Sequence, residues 1–315
     1  MEFRIGNFNL RNLTLPNFLF YENLEYSEEE YMQKCRWCSD QLKKMSADIV
    51  AFQEVFHYEP LHKICEDSGI YDETSHIICP MGIESSPRVG LVSKKPILRW
   101  ILHENFPEEC QTTEFQQFRR PLIEAYIDMS TETQKQIIRV FAVHMKSKRA
   151  LFVDEQPHTM VGVSKGIARS LRLRTQEAIA LRQLINQDID TPTVVVGDFN
   201  DTAYSVTTQI ICGVRAPFDA PPEIAHIFSQ AKLQNVHEHT QRKTLRDVHY
   251  TYYFNGLYET VDHIFASQHF LPPNGDIIAF RSYTDHLIDR VNESQPKHTS
   301  DHGQIVALLS LQESS

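Results

Sequence analysis

The chain has 315 residues, 41% of them apolar and 23% charged, and a formal charge of −10. This excludes a disordered polymer and a small disulfide scaffold, and the net acidity excludes a protein that coats nucleic acid through its field alone. What remains is a soluble enzyme or binding protein that reads as one domain over 1–315, with no Gly/Ser-rich linker and no internal repeat. Residues 1–20 lack a basic segment followed by a long apolar core, and no run is long enough to span a membrane, so a cytoplasmic monomer is expected.

The first predicted strand lies in RIGNFNLRN. Side chains alternate along a strand, so Phe3, Ile5, Asn7 and Asn9 point the same way, and two amides that need partners stand on the buried face. Next comes a helix: Ser27 and Glu30 form a capping box, and Tyr31, Cys35, Cys38, Leu42 and Met45 follow at helical spacing. The thiols of CRWC thus belong to an apolar stripe, and no second CxxC completes a zinc site. In ADIVAFQEVF a short apolar run suits a buried strand, with Val50, Phe52 and Glu54 on one face. A carboxylate there needs a cation or donors.

In QQFRRPLIEAYI, Arg120 stands directly before Pro121, where an exposed edge charge is the plain reading. RVFAVHMKSK repeats the earlier design, with Val140, Ala142, His144 and Lys146 on one face; Lys146 is also free to snorkel. From His144 to Arg182 eight Lys and Arg stand against three acids, the charge of either a phosphate groove or a solvated face. GVSKG matches a nucleophile elbow at Ser164, but the chemistry needs a strong strand before the serine, and QPHTMVGV supplies only a short apolar run. The following helix has an apolar stripe of Ile167, Leu171, Ala178, Leu181 and Ile185 whose period includes Arg174. A guanidinium on that face must meet an acid or support the site.

TVVVGDFND aligns Val194, Val196, Asp198 and Asn200, and it is not an EF-hand because Ala203 and Gln209 stand where Gly and Glu are required. Asn255 and Gly256 signal a hairpin turn which, with the loops around APFDAPPEI, is expected to frame the substrate. In TVDHIFAS and SDHGQIVALL the polar residues Asp262, Asp301 and His302 precede their apolar runs. If those two strands run antiparallel to the earlier ones, Asn7, Asn9, Glu54, His144, Asp198, Asn200, Asp262, Asp301 and His302 meet at one rim. Each alone has a structural reading as a cap, a turn or a partnered core residue. Recurrence at five strand ends favours a site.

The ordered set GNFN, QEV, VHMKS, GDFND, VDHIFAS and SDHGQIV, spread from residue 5 to 309, resembles the endonuclease/exonuclease/phosphatase superfamily. The resemblance implies an α/β (α+β) fold, a four-layer αββα sandwich of two mixed, mainly antiparallel sheets flanked by helices. It also implies a Mg2+ site, with Mn2+ as a substitute, at Glu54 with Asn9 and Asp301. Asp198 with Asn200 would orient or deprotonate the attacking water. His302 would touch the scissile phosphate with Asp262 holding its tautomer, and His144 resembles the family's second histidine. Asn7, Arg120, Lys146 and Arg174 are the expected substrate-binding set. The sequence departs from the apurinic endonucleases, which carry an acid where Asn9 stands, and from the inositol phosphatases, whose WxDR signature it lacks. It is closer to bacterial nuclease-like and phosphohydrolase members. The expected function is in-line hydrolysis of phosphate esters, with nucleic acid the first substrate class and inositol phosphates or sphingomyelin the alternative. A non-catalytic binding protein and a Ser164 hydrolase are the rival readings.

Overall fold

The computed structural model describes residues 1–312 other than 22–23, 81–85, 133–134, 154–156, 245–248, 255–256 and 288–294. The first elements are β1 (Glu2–Leu13), α1 (Glu28–Met45), β2 (Ile49–Val55), α2 (Tyr58–Ser68), β3 (His76–Ile78) and β4 (Arg88–Ser93). Then come β5 (Ile97–Asn105), β6 (Gln117–Asp128), β7 (Ile137–His144), α3 (Met160–Asn186), β8 (Thr193–Asp198), α4 (Val206–Cys212) and α5 (Pro222–Gln230). The chain ends with β9 (Leu233–Asn235), α6 (Val236–Thr244), β10 (Tyr252–Phe254), β11 (Leu257–Glu259), β12 (Asp262–Ser267), β13 (Gly275–Tyr283) and β14 (Gln304–Leu311).

Two mixed six-stranded sheets result, in the orders β13-β14-β1-β2-β4-β3 and β5-β6-β7-β8-β12-β9. They pack face to face through one cluster in which Phe3, Ile5, Ile49 and Ala51 of the first sheet meet Val140, Ala142, Val194, Val196 and Ile264 of the second. On the outer face of the first sheet, Phe8, Leu10, Val50 and Phe52 pack under Cys35, Leu42, Leu61 and Ile64 of α1 and α2. On that of the second, Phe141, Val143, Val195 and Phe265 pack under Leu173, Ala178, Leu181 and Ile185 of α3. The four layers are those the motifs implied. The capping box at Ser27 forms, and Cys35 and Cys38 are free thiols in the core of α1.

Two local expectations are corrected. Val50 and Phe52 face the helices, so strict alternation would bury Glu54 beneath α1 and α2. Instead Glu54 adopts a positive φ of 61°, the register slips between Phe52 and Val55, and the alternation breaks there. In α3, Ile167 and Leu171 are exposed; the buried face runs through Gly162, Gly166 and Ser170 and carries large apolar side chains only from Leu173 onward. Ser164 lies within α3, where its hydroxyl donates to the Met160 carbonyl (2.8 Å), so the strand–turn–helix context of a nucleophile elbow is absent. The turn Asn255-Gly256 lies outside the described residues, but its flanks β10 and β11 pair antiparallel.

Candidate active site

Sheet pairing brings the polar strand ends together. β1 and β2 run parallel, and β14 runs antiparallel to β1. In the other sheet β7 and β8 run parallel and β12 antiparallel, with Asp262 and His144 each in register with Asp198. Exits and entries therefore share one rim. There the Asn7 amide donates to Asp262 Oδ1 (2.9 Å) and the Asn9 amide to Asp198 Oδ2 (3.1 Å), each bond crossing from one sheet to the other. His302 Nδ1 lies 2.9 Å from Asp262 Oδ2, and its Nε2 lies 3.8 Å from Asp198 Oδ2. His144 Nε2 approaches the same Asp198 oxygen at 3.4 Å. All six of these side chains are buried.

Such proximity without solvent sets the protonation states. Burial disfavours the His302 cation, but the carboxylates of Asp262 and Asp198 overcome it and hold the imidazolium well above its ordinary range. Asp198 is pushed up to about 7, first by burial and then by Asp262, against the opposing pull of His302. His144 is driven well down by burial and by the charges of Arg120 and His302, so it is neutral, and its Nδ1 is buried without a hydrogen-bond partner.

Around this core the other expected residues take distinct places. Asn200, at a positive φ of 51°, donates its side-chain amide to the Met145 carbonyl and its backbone N–H to Asp198 Oδ1. Arg120 donates to the Met145 carbonyl (3.2 Å). Lys146 lies beyond the end of β7, and its ammonium donates to the Ser147 and Arg149 carbonyls; burial and Arg120 pull it down to about 8. Arg174 is buried against Asp201 (3.1 Å) and the Lys146 carbonyl, a structural ion pair behind the rim. Asp301 is half-buried, 3.9 Å from Arg11.

Three supports went unread in the sequence. Gln53 donates to Asn7 Oδ1 (2.8 Å); its parity with Ile49 and Ala51 was the available signal. Lys34, fully buried, donates to the carbonyls of Arg11 and Thr299 and so ties the end of β1 to the loop bearing Asp301. Glu177 accepts the backbone N–H groups of Arg119 and Lys146, joining the start of β6 to the loop after β7.

Residues 35–302 match the family model of the Endonuclease/Exonuclease/phosphatase family. The chain belongs to that family. No curated protein matches it in sequence. Among solved structures, a family member from Bacteroides vulgatus is similar with a TM-score of 0.59 and 18% identity, covering 99% of this chain and 100% of that one. The catalytic domain of human Nocturnin with bound sulfate gives 0.58 and 14%, covering 99% and 94%. The 3′ phosphatase NExo from Neisseria, bound to product DNA hairpin, gives 0.54 and 14%, covering 99% and 100%. At these identities the likeness establishes the fold.

Enzymes of the endonuclease/exonuclease/phosphatase family hydrolyse phosphate esters and typically use a divalent metal, and two places in this chain bear on one. Asp198, Asp262 and His302 each offer a ligand atom, all within 4.8 Å of one another. Asp262 already accepts bonds on both oxygens, however, from Asn7 and His302, which suits proton handling. Glu54 fits a cation differently. Among the described residues its carboxylate accepts no hydrogen bond and makes no ion pair, and burial followed by the charge of Asp301 pushes its carboxyl up. Two repelling carboxylates, with Asn9 in register with Gln53 on the neighbouring strand, offer hard oxygen atoms of the kind a divalent cation takes.

Proposed function

We propose that the protein is a Mg2+-dependent phosphodiesterase, a nuclease in the first instance, with residues 1–315 as its catalytic domain. The observation that carries this reading is the cross-sheet network in which one imidazolium is held between two carboxylates beside a third, Glu54, that has no partner among the described residues. Water attacks phosphorus in line with the departing ester oxygen, and Asp198 takes its proton. His302 presents Nε2–H to a phosphoryl oxygen, because Asp262 holds the proton on Nδ1 and Asn7 fixes Asp262. His144, being neutral, can donate to the same charge. Glu54, Asp301 and Asn9 would hold a divalent cation, which would supply positive charge against that growing on the phosphoryl group.

The NExo complex with DNA supports a nucleic-acid substrate, and six free cysteines suit a reducing, cytoplasmic setting. The net charge of −10 favours the alternative, a small phosphorylated substrate. A panel of plasmid DNA, RNA, bis-p-nitrophenyl phosphate, sphingomyelin and inositol phosphates, each with Mg2+ or EDTA, separates the two. Turnover by wild type that stops in EDTA and falls roughly 10²–10⁴-fold in His302→Ala is expected. Turnover indifferent to chelation and to His302 removes the proposal.

A further inference from the structure

Beside the reacting groups stands an aromatic and cationic cluster that the chemistry above does not use. Tyr21 follows Phe20, whose backbone pairs with that of Leu24 through two bonds, Phe20 N–H to the Leu24 carbonyl (2.8 Å) and Leu24 N–H to the Phe20 carbonyl (3.1 Å). Its φ is +49°, a conformation that bulky residues rarely adopt, so the surroundings hold it there. Its ring packs edge-on against Phe56 (6.2 Å) and Phe20 (6.0 Å), yet it remains 49% exposed. Phe56 follows directly on β2, two residues after Glu54, which places Tyr21 at the Glu54 end of the rim. The charges of Glu54, Arg120, Arg149 and Arg119 act on the phenol, and Glu177, by accepting the backbone N–H groups of Arg119 and Lys146, ties Arg119 to the loop that carries Arg149.

Three cations of the same region are neutralised, Lys148 by Glu259 (2.6 Å), Arg172 by Glu114 (3.0 Å) and Arg174 by Asp201 (3.1 Å). Among the described residues Arg119, Arg120 and Arg149 pair with no carboxylate, and the guanidinium groups of Arg119 and Arg149 donate no hydrogen bond. Arg149 is exposed on the loop that follows His144, with its carbonyl fixed by Lys146 and Ser170. It also lies within electrostatic reach of Tyr252, whose ring covers that of His302 at 4.8 Å. Unpaired guanidiniums thus flank the reacting centre, and a half-exposed aromatic ring stands beside them.

Resting on the phosphoesterase reading, we infer that Tyr21, Arg119 and Arg149 form a second subsite. Tyr21 stacks an unpaired nucleobase, and the two arginines bind the phosphate adjoining the scissile one, so the substrate is a single-stranded nucleic acid. A flat ring needs a flat partner, and neither an inositol phosphate nor a phosphocholine headgroup carries one. A duplex keeps its bases stacked inside and would leave the ring unused.

The test is equilibrium binding in EDTA, where turnover does not interfere, using fluorescein-labelled oligothymidylate, an abasic strand of the same length, and the oligothymidylate annealed to its complement. Wild type is expected to prefer the base-bearing single strand. Tyr21→Leu weakens that strand roughly tenfold, to the abasic level, while Tyr21→Phe retains the preference. Arg149→Ala weakens both single strands and reduces the slope of log affinity against log salt by roughly 0.7. Equal binding of base-bearing and abasic strands by wild type, or tighter binding of the duplex, overturns the subsite. If Tyr21→Leu loses its melting transition, Arg149→Ala decides, and an unchanged salt slope overturns the subsite. Failure of the underlying reading has a different signature: no metal-dependent hydrolysis of any phosphate ester by wild type, whatever the strands bind.

Discussion

At Glu54 the left-handed backbone and a half-buried carboxylate that has no partner among the described residues are two destabilising features in one residue. A carboxyl whose folded value is raised weakens the fold as pH climbs from the ordinary carboxyl range up to that value, and in full above it; the penalty vanishes in acid, where folded and unfolded chains are both protonated. At neutral pH Glu54→Gln should therefore melt higher than wild type without divalent metal. Added Mg2+ should raise the wild-type Tm and leave the variant unmoved. A metal-free variant that melts lower would show that the carboxylate already has its counter-charge. His302 and Asp198 give a second prediction. kcat/KM should rise through about pH 7 as Asp198 ionises, then fall at alkaline pH as His302 loses the proton that Asp262 and Asp198 hold on it. In Asp262→Asn the support for the imidazolium goes, so the alkaline limb should move toward neutrality. An unmoved limb assigns it to another group.

Among the elements, the β7–β8 pair fixes the distance between His144 and Asp198, and Gly197 sets how close the two strands come. A Cβ on Gly197 would lie 2.1 Å from the Val143 carbonyl oxygen, a clash with backbone that no rotamer relieves. Gly197→Ala should cost about 3 kcal/mol in denaturant unfolding and lower kcat together with stability, because His144 and Asp198 are the next residues on each strand. A variant as stable and active as wild type would mean that the ladder has slack. The same ladder explains what the sequence made legible. Asn7, Asn9, His144 and Asp198 were placed on one face by period-two alternation, and in each the strand is regular up to that residue; Asp262 was placed by the antiparallel run of β12, which begins at it. Alternation misled at Glu54, where one left-handed residue re-aims the chain, and at Lys146, which lies past the end of β7. Arg174 could be recognised as needing a partner, but Asp201 could not be chosen over the site acids, since that choice depends on how α3 docks.

For the molecule as a whole, the site belongs to neither sheet. Asn7 and Asn9 come from one, with His302 just ahead of its strand β14, and His144, Asp198 and Asp262 from the other, so the proposed chemistry depends on the inter-sheet core for alignment while using only its rim. Ile138 lies in that core at the opposite end of β7 from His144, roughly 20 Å away along the strand. Ile138→Ala leaves a cavity that the two sheets cannot close, and should cost about 2–4 kcal/mol while kcat/KM below the melting transition stays at the wild-type level. Asn7→Ala inverts that pattern. It strands Asp262 Oδ1 and the Gln53 amide without partners, about 1–3 kcal/mol by that route, and frees Asp262 to rotate away from His302. Its kcat should fall even where its Tm matches that of Ile138→Ala. Equal activity in two variants of equal Tm would mean that stability alone, and not the cross-sheet bonds at the rim, controls turnover.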